Sequence, residues 1–370
     1  MRLNPRLSGY MWWLLQDYWT GSNGLLDTYF RAKSIRPALV RQFNSPAVLL
    51  QNGLPPTCST EQPLRTKLLL SNYSPSPIRD GLLKWTVKLG DRVLAKSSPH
   101  QLNIGQGELA EIAAVELTLP AIAQPQKLTL EADLKTATLR AQNDWSAWVY
   151  PAQSKIENQK SITFPPLYAA RPLLPLLQHL GAQPLPQESP LPAHAVFVVR
   201  QPTLETLAAV ETGASLICLA PQELFPTVPN RFKPAWWLGS PNDCNAGTVV
   251  YPHPVTRAIA PDGWCDLGWY HLLEGAQAVV LDHFPAQPAV LVRGLDVHTV
   301  CRSKALLFEA RVGDGSLIVS GLRLEPAADA PESAWLLDRL IEYAGTFPQP
   351  QATLPAAFLR QKLSDSRQQP

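Results

Sequence analysis

Five segments between residues 64 and 150 alternate apolar and polar side chains, which is the pattern of half-buried β-strands. Residues 82–89, Leu-Leu-Lys-Trp-Thr-Val-Lys-Leu, show it most clearly, because successive side chains of a strand point to opposite faces of a sheet. Clusters of Ser, Pro and Gly separate the segments, as expected for turns. The predicted strands are residues 64–72, 81–89, 108–119, 127–134 and 141–150. Short alternating strands over about 100 residues, with a Trp in a middle strand, predict an antiparallel β-sandwich.

A different pattern begins near residue 194, where continuous apolar runs alternate with helical spacing. Residues 195–199 and 213–219 are apolar runs, and residues 203–212 between them have helical spacing. This βαβ arrangement implies a parallel sheet with a right-handed crossover. Further predicted elements are a strand at 276–281, a hairpin of 305–311 and 315–320 with Asp314-Gly315 as its turn signal, and a helix at 331–343 with Trp335, Leu336, Leu340 and Ile341 on one face.

The first 45 residues begin with a short apolar and aromatic run. Residues 10–15 are Tyr-Met-Trp-Trp-Leu-Leu, and Gln16, Asp17 and a turn at 21–24 follow. We expect a buried strand with a polar end. Residues 25–43 then predict a helix broken near Pro37. One βα unit cannot bury its own faces, so we expect it to complete a larger structure.

Thirty-seven prolines mark boundaries along the chain. They cluster near residue 46, between 151 and 192, and near 348, and such clusters are typical of joints between domains. The predicted regions are a βα unit at 1–45, a β-sandwich at 46–151, a Pro-rich linker at 152–192, an α/β domain at 193–347 and a polar tail at 348–370.

Composition excludes several classes of partner. A hydrophobic share of 45% with 17% charged residues predicts packed cores, and a net charge of +2 without a basic stripe argues against nucleic acid. No apolar window approaches the ~20 residues of a membrane helix, and no signal peptide is recognisable. We therefore expect no membrane partner, no cofactor and no metal. The five cysteines are too widely spaced for a disulfide or ligand framework: Cys58, Cys218, Cys244, Cys265 and Cys301.

The opening segment resembles part of a known enzyme family. Residues 9–19, then Gly24-Leu25-Leu26-Asp27 and residues 33–43, resemble the eighth strand, loop and helix of the catalytic (β/α)8 barrel in glycoside hydrolase family 2. That family includes β-galactosidases, β-mannosidases and β-glucuronidases, and its members are bacterial cytoplasmic, periplasmic or secreted proteins, so it leaves the localisation open.

The resemblance implies a set of sugar-binding residues at the end of that strand, since catalytic groups of such barrels lie at that face. Either Trp12 or Trp13, depending on a one-residue uncertainty in register, would line the subsite of the terminal sugar. The positions of Gln16, Asp17 and Trp19 match polar and aromatic positions of the same strand.

The catalytic residues of the family have no counterpart here, because its two glutamates lie on earlier barrel strands. A retaining glycosidase needs two carboxyl groups about 5 Å apart, and the pair Asp17 and Asp27 is a poor fit. Weak candidates for a separate acid/base or metal site are four aspartates in a region with several tryptophans. The spacing of these aspartates matches no ligand motif, and a structural role is the alternative. They are Asp262, Asp266, Asp282 and Asp296.

Two later regions also resemble domains of such hydrolases. Residues 46–151 resemble the immunoglobulin-like domain that follows the barrel, and residues 193–347 resemble an appended class I glutamine amidotransferase-like, flavodoxin-like domain. The second likeness rests on His253-Pro254-Val255, Gly263-Trp264-Cys265-Asp266 and residues 313–323. Cys218 and Ser320 lack the glycine-flanked turn of a nucleophile, so we expect a buried small side chain at Cys218. The implied fold is multidomain: the last βα unit of a (β/α)8 barrel, an all-β immunoglobulin-like sandwich and an α/β flavodoxin-like domain.

Three functions remain open. The first is the C-terminal part of a retaining, β-galactosidase-like exo-β-glycosidase, which supplies one wall of the sugar site and accessory domains. The second is a non-catalytic carbohydrate-binding or assembly module, and the third is a self-sufficient glycoside hydrolase with an unidentified Asp/Glu pair. The expected partner is a carbohydrate with a terminal β-linked sugar. We also expect self-association, or docking to a barrel, through residues 1–45, because exposed aromatic area recruits partners.

Overall fold

A computed structural model describes the chain except residues 1, 5, 8, 19–23, 34, 61, 153–163, 188–189, 233–246, 298–299, 326–329 and 367–370. The chain divides into two compact units, Met1–Tyr150 and Pro151–Pro370. It is therefore a multidomain, mostly β protein with several sheets and a few helices. Across the described residues, no helix is long and apolar enough to span a membrane.

Strands make up nearly all of the regular secondary structure described in the first unit. Its described elements are α1 (Pro37–Asn44), β1 (Ala47–Asn52), β2 (Thr57–Ser59), β3 (Pro63–Asn72), β4 (Ile78–Leu89), β5 (Arg92–Lys96), β6 (His100–Ile104), β7 (Glu108–Thr118), β8 (Gln126–Lys135) and β9 (Arg140–Tyr150). One sheet has the order β1-β3-β7, and the other has the order β2-β9-β8-β4-β5 with β6 also paired to β4. All pairs are antiparallel except β2 with β9.

The two sheets share one hydrophobic core. Leu128 and Leu130 of β8 pack in the same buried cluster as Leu49 of β1 and Leu68 of β3, which requires the sheets to face each other. The five strands that the alternating pattern predicts correspond to β3, β4, β7, β8 and β9, each within three residues at its ends. The prediction of an antiparallel two-sheet arrangement is confirmed for this region.

The buried strand predicted near residues 10–18 is not formed. The described residues make only isolated bridges, Gln16 to Leu26 and Leu26 to Ala32, and Met11 is 93% exposed. A strand buried on both sides needs a ladder of hydrogen bonds to neighbours on each side, and the described residues supply only the backbone hydrogen bonds of Leu26 to Leu15 and Asp17. No (β/α)8 barrel is present in the described structure. The helix begins at Pro37 rather than breaking there, because proline is favoured at a first helical position.

The second unit combines parallel strands with helices. Its described strands are β10 (Leu167–Ala169), β11 (Gln183–Pro184), β12 (Val196–Val199), β13 (Ser215–Cys218), β14 (Thr227–Pro229), β15 (Gly247–Val250), β16 (Gln277–Val280), β17 (Ala289–Leu295), β18 (Lys304–Ala305), β19 (Leu307–Val312) and β20 (Gly315–Ser320). Its described α-helices are α2 (Leu174–Leu177), α3 (Leu204–Glu211), α4 (Tyr270–Leu273), α5 (Pro331–Ala344) and α6 (Ala356–Ser366).

Eight of these strands form one mixed sheet in the order β11-β10-β12-β13-β20-β19-β17-β15. The first five are parallel, and β20, β19, β17 and β15 are mutually antiparallel. A separate antiparallel sheet has the order β14-β16-β18. One face of the large sheet packs in a core with α3 and α6, in which Phe197, Leu207, Leu317 and Leu359 are buried.

Several predicted elements of this unit are confirmed. The βαβ run corresponds to β12, α3 and β13, and a reciprocal capping box of Thr203 and Thr206 begins α3. The predicted hairpin is β19 and β20, but its two-residue loop is Gly313 and Asp314, one residue earlier than the turn signal indicated. Gly313 has a φ of +59°, which suits the first position of such a loop.

Two regions predicted as linker and tail contain regular structure. Within 152–192, strands β10 and β11 extend the large sheet, and within 348–370 helix α6 buries Leu359 and Leu363. The prolines of the first region occupy positions where they fit secondary structure. Pro172 and Pro175 lie in first helical turns, and Pro184 lies on the edge strand β11, where a missing N–H is tolerated.

Candidate functional site

The N-terminal segment exposes an unusual amount of apolar area. Thirteen of the 24 exposed large hydrophobic side chains in the described structure lie within residues 1–45. We call these the N-terminal apolar surface: Leu3, Leu7, Tyr10, Met11, Trp12, Trp13, Leu15, Tyr18, Tyr29, Phe30, Ile35, Leu39 and Phe43. A concentration of this kind is typical of a protein interaction surface.

Trp12 and Trp13, the two residues that the family resemblance implies as sugar platforms, differ in environment. The Trp12 ring stacks on Phe43 of α1, with a centroid distance of 6.2 Å and an interplanar angle of 22°. Trp13 is 68% exposed. Of the two registers left open by the sequence, Trp13 therefore presents the larger free aromatic face. Trp19 lies outside the described residues.

Gln16 and Asp17 hold the loop that follows these tryptophans. Both oxygens of Asp17 accept hydrogen bonds from Lys33 Nζ, at 3.0 and 2.9 Å, and Oδ1 also accepts one from Gly24 N at 2.7 Å. The hydrogen bond from Lys33 is the main reason that the pKa of Asp17 is lowered. Gln16 Nε2 donates to Thr28 O at 2.8 Å. Both side chains thus have local structural partners.

The four aspartates considered as weak candidates do not form a site through their described contacts. Asp266 Oδ1 accepts a hydrogen bond from Gly268 N and caps a short 3-10 helix, and Asp282 accepts one from Ser303 N. Asp262 lies exposed in a loop. Asp296 is different, since its carboxylate is almost completely buried in an ion pair.

Asp296 contacts Arg302 Nε at 2.7 Å and Lys304 Nζ at 3.2 Å. Burial acts to raise the pKa of Asp296, but the hydrogen bonds from Arg302 and the charge of Lys304 outweigh it and lower the pKa to about 2. A carboxylate that is ionised above this pH cannot serve as a general acid near neutrality. Asp296 therefore fits a structural role.

The expectation for Cys218 is confirmed. Its side chain is fully buried, burial raises the pKa of the thiol to about 12, and Sγ lies 3.2 Å from Arg200 O. Such a thiol is a poor nucleophile because the thiolate is the reactive form. Ser320 is also fully buried.

A polar cleft of about 230 Å³ lies at one end of the large sheet. It is placed by the residues that follow three neighbouring parallel strands: Arg200 after β12, Leu219 after β13 and Gly321 after β20. Its lining is Arg200, Leu219, Pro221, Gln222, Gly275, Gln277, Gly321, Leu322, Arg323, Leu324 and Glu325. The carboxyl ends of parallel strands are where α/β sheets usually bind ligands.

Backbone hydrogen bonds fix the wall of this cleft. Gly321 N donates to Leu306 O, and Gln277 N donates to Gly321 O, each at 2.8 Å. A Cβ atom at Gly321 would lie 1.7 Å from Gln277 O, so only glycine allows this close approach. Arg323 N donates to Leu272 O at 3.1 Å. The segment that carries Arg323 is thereby held in place.

The charged lining is mostly cationic. Arg200 forms an ion pair with Glu325, and the hydrogen bond that Arg200 donates to the Glu325 carboxylate raises the pKa of Arg200. Arg323 Nη1 donates to Glu274 O at 3.3 Å. Sequence reasoning missed this site, and the only available signal was the position of polar residues directly after predicted parallel strands.

A second group of titratable residues lies between β19 and α5. Glu309 hydrogen-bonds with Tyr343, and His253 Nε2 lies 3.8 Å from Glu309 Oε1. Burial raises the pKa of Glu309 and lowers that of His253. Among the described residues Glu309 Oε2 has no hydrogen-bond partner. None of these three residues lines the cleft.

No group of three or more His, Cys, Asp or Glu side chains in the described part of the chain could hold a metal ion. Four cysteines are described, and no disulfide joins any of them: Cys58, Cys218, Cys265 and Cys301.

Comparisons with known proteins match two parts of the chain. A family model described as "Domain of unknown function (DUF8487)" matches residues 197–364, and another described as "Domain of unknown function (DUF8488)" matches residues 62–151. The two matches fall almost entirely in the second and first unit, respectively. No curated protein matches the chain.

Solved structures resemble the chain only distantly. The sporulation control protein Spo0M of Bacillus subtilis is 11% identical over 31% of this chain and 54% of its own, with a TM-score of 0.24. A β-glucuronidase of Parabacteroides merdae is 14% identical over 48% of this chain and 24% of its own, with a TM-score of 0.23. A family 123 glycoside hydrolase of Clostridium perfringens is 10% identical over 36% of this chain and 32% of its own, with a TM-score of 0.22. Likeness at this level carries no argument about fold or activity.

Proposed function

We propose that this chain is the C-terminal, non-catalytic part of a β-galactosidase-like exo-β-glycosidase related to glycoside hydrolase family 2. In this proposal the N-terminal apolar surface docks onto the remainder of a (β/α)8 barrel and supplies one wall of its sugar site. The observation that carries the proposal is the concentration of exposed large hydrophobic side chains within residues 1–45.

Docking would remove a substantial cost of exposure. Each fully buried large apolar side chain contributes about 1.5–3 kcal/mol, and the N-terminal apolar surface holds thirteen exposed ones. A barrel neighbour would also pair with the backbone of residues 10–15, which forms no ladder among the described residues. The partner of this surface in the proposal is therefore the set of barrel strands, on the same polypeptide or on a separate chain.

Trp13 is the residue best suited to contact a sugar in this arrangement. Its ring is exposed, and aromatic faces in pockets give apolar contact while a few polar groups fix the orientation of a ligand. The Asp17–Lys33 ion pair and the Gln16 hydrogen bond hold the loop immediately after Trp13. In the proposal Gln16 and Asp17 position the wall of the sugar site and take no part in the chemical reaction.

The finer assignments of the two units belong to the same proposal. We assign residues 46–151 to an immunoglobulin-like domain and the second unit to an amidotransferase-like, flavodoxin-like domain without a nucleophile. The order of its five parallel strands, β11-β10-β12-β13-β20, corresponds to 2-1-3-4-5 in chain order, which is the flavodoxin-like order. This agreement supports the assignment of the second unit.

The proposal is tested by the activity of the chain alone and with a barrel. We expect no hydrolysis of nitrophenyl β-galactoside by the isolated chain, and hydrolysis when it is co-produced with a polypeptide of seven βα units that carries two barrel glutamates. Trp13→Ser should weaken co-purification of the two polypeptides. Trp264→Ser is the matched control, because Trp264 is a similarly exposed tryptophan in the second unit.

Two results would contradict the proposal. Turnover by the isolated chain would establish a self-sufficient hydrolase, although the ionised, ion-paired Asp296 gives that alternative little support. Binding of galactosides without turnover, together with no association with any barrel, would instead establish a carbohydrate-binding module.

A further inference from the structure

We infer that the cleft at the carboxyl ends of β12, β13 and β20 binds a small molecule through an oxyanion group, a carboxylate or a phosphate, with Arg323 as the principal anchor. The inference concerns the second unit alone and does not depend on the proposed docking of residues 1–45.

The position of the cleft is the first argument. Three of its lining residues, Arg200, Leu219 and Gly321, each come directly after one of three adjacent parallel strands. In open parallel sheets the loops at this edge diverge, and the crevice between them is the usual ligand site. Neither Cys218 nor Ser320 offers a nucleophile to this cleft, because each is fully buried at the end of its strand.

The balance of donors and acceptors is the second argument. The charged side chains of the described lining are two guanidinium groups, Arg200 and Arg323, and one carboxylate, Glu325. Gln277 Oε1 already accepts a hydrogen bond from Thr227 Oγ1 at 3.2 Å, so the amide of Gln277 retains its N–H₂ donor. A surplus of donors around a net positive charge favours a ligand that accepts several hydrogen bonds and carries negative charge.

Arg323 is the better anchor of the two arginines. Its guanidinium has five N–H donors, and among the described residues Nη1 donates one long hydrogen bond, to Glu274 O. Arg200 already binds the carboxylate of Glu325. That ion pair shows an oxyanion held by an arginine of this cleft, and Glu325 would compete with a ligand for Arg200.

Rigidity and size are the third argument. Backbone hydrogen bonds among Gly321, Gln277 and Leu306 hold the wall of the cleft, and a wall that is fixed in this way requires little ordering on binding. The volume of about 230 Å³ lies below the range of about 300–1,000 Å³ usual for drug-sized ligands. The ligand should therefore be no larger than a single sugar acid, a sugar phosphate or a molecule of similar size.

Titration calorimetry on the full chain tests the inference. The probes are inorganic phosphate, glucuronate and neutral glucose, at constant ionic strength. We expect at least one anion to bind and glucose not to bind. Arg323→Met should weaken binding of that anion at least tenfold. Arg360→Met is the matched control and should leave it unchanged, because Arg360 is an exposed arginine paired with Glu211 and does not line the cleft.

A second variant predicts a change in the opposite direction. Glu325→Gln removes the competing carboxylate beside Arg200 and should tighten anion binding severalfold. Binding of phosphate alone would identify a phosphate ligand, and binding of glucuronate alone a carboxylate ligand. The inference fails if neither anion binds, if Arg323→Met and Arg360→Met have equal effects, or if Glu325→Gln abolishes binding.

Discussion

Lys33 lies within hydrogen-bonding distance of both carboxylate oxygens of Asp17, at 2.9 and 3.0 Å, and closes the loop of the N-terminal segment. Gly24 N donates to the same carboxylate, and a Cβ atom at Gly24 would lie 2.4 Å from Asp17 N. One ion pair and one glycine therefore hold Gly24 and Lys33 against Asp17.

Asp17→Asn should loosen this loop. Because the folded state lowers the pKa of Asp17, the ion pair contributes at pH values above the unfolded pKa and is lost as the pH falls through the folded pKa. We expect faster limited proteolysis within residues 9–33 at pH 7, and a difference from the wild type that shrinks as the pH falls below the ordinary aspartate pKa of about 3.9. Glu116→Gln, which breaks the exposed pair with Arg65, is the control and should cleave like the wild type.

The N-terminal apolar surface should cause self-association of the isolated chain. Met11 and Trp13 are its most exposed members apart from Tyr29, and their burial in a second copy would remove apolar area from water. Sedimentation velocity should show a dimer or larger species, and the double variant Met11→Ser/Trp13→Ser should shift it toward the monomer. A monomeric wild-type chain with solvent-quenched tryptophans would contradict this expectation, and Trp264→Ser serves as the control.

Glu309→Gln should stabilise the second unit at neutral and alkaline pH. Burial raises the pKa of Glu309, so the folded protein holds this proton more tightly than the unfolded chain, and stability is lost as the pH rises through the folded pKa. The glutamine has no charge to bury and avoids that loss. We expect a gain on the order of 1 kcal/mol in the free energy of unfolding at pH 8.

Urea unfolding at pH 8 and at pH 4 checks this sign. The gain should shrink at pH 4, where the carboxyl of Glu309 is already protonated in the folded state. A glutamine variant that is less stable than the wild type at pH 8 would show that the charged carboxylate is favourable where it lies.

Gly321→Ala should disrupt the wall of the cleft. The new Cβ atom would approach Gln277 O to 1.7 Å, so the residue after β20 and the first residue of β16 must separate, at a cost of about 3 kcal/mol or more. Gly294→Ala is the matched control in the same unit, since its nearest contact would be an ordinary 3.5 Å. Thermal unfolding should show a large loss for the first variant and a small change for the second.

The cysteines should differ sharply in reactivity. Cys301 is exposed, whereas Cys218 is buried with its pKa raised to about 12. In the native protein a thiol reagent should label Cys301 and leave Cys218 unmodified until the chain unfolds, because only the thiolate reacts. Mass spectrometry of labelled peptides measures this. Rapid native labelling of Cys218 would revive the idea of a nucleophile at the end of β13.

Strands were predicted correctly from the sequence where the apolar positions of a segment are the positions that the fold buries. β8 alternates apolar and polar residues from 128 to 135, and β4 nearly alternates them from 82 to 89. β12 is a continuous apolar run and β13 is one after Ser215, so burial of each element is encoded locally. The aromatic run at residues 10–15 has a similar composition but lies exposed. A run of apolar residues favours burial, but the run alone does not show that neighbouring elements are present to cover it.

The linker predicted from the prolines is wrong, because the number of prolines does not indicate where in an element each one lies. Pro172, Pro175 and Pro184 occupy first helical turns and an edge strand, where a missing N–H costs little. A linker was predicted in a region that in fact contributes two strands to the sheet.

The sequence by itself determined the strands of the sandwich, the βαβ run and the buried state of Cys218, since each depends on side chains close together in the chain. Tertiary structure alone decided the rest. It exposed Met11 and Trp13, placed Asp296 in an ion pair, and brought Arg200, Gln277 and Arg323 to one cleft from three distant segments. Such sites arise from the order of strands in a sheet, which depends on long-range pairing that no local pattern records.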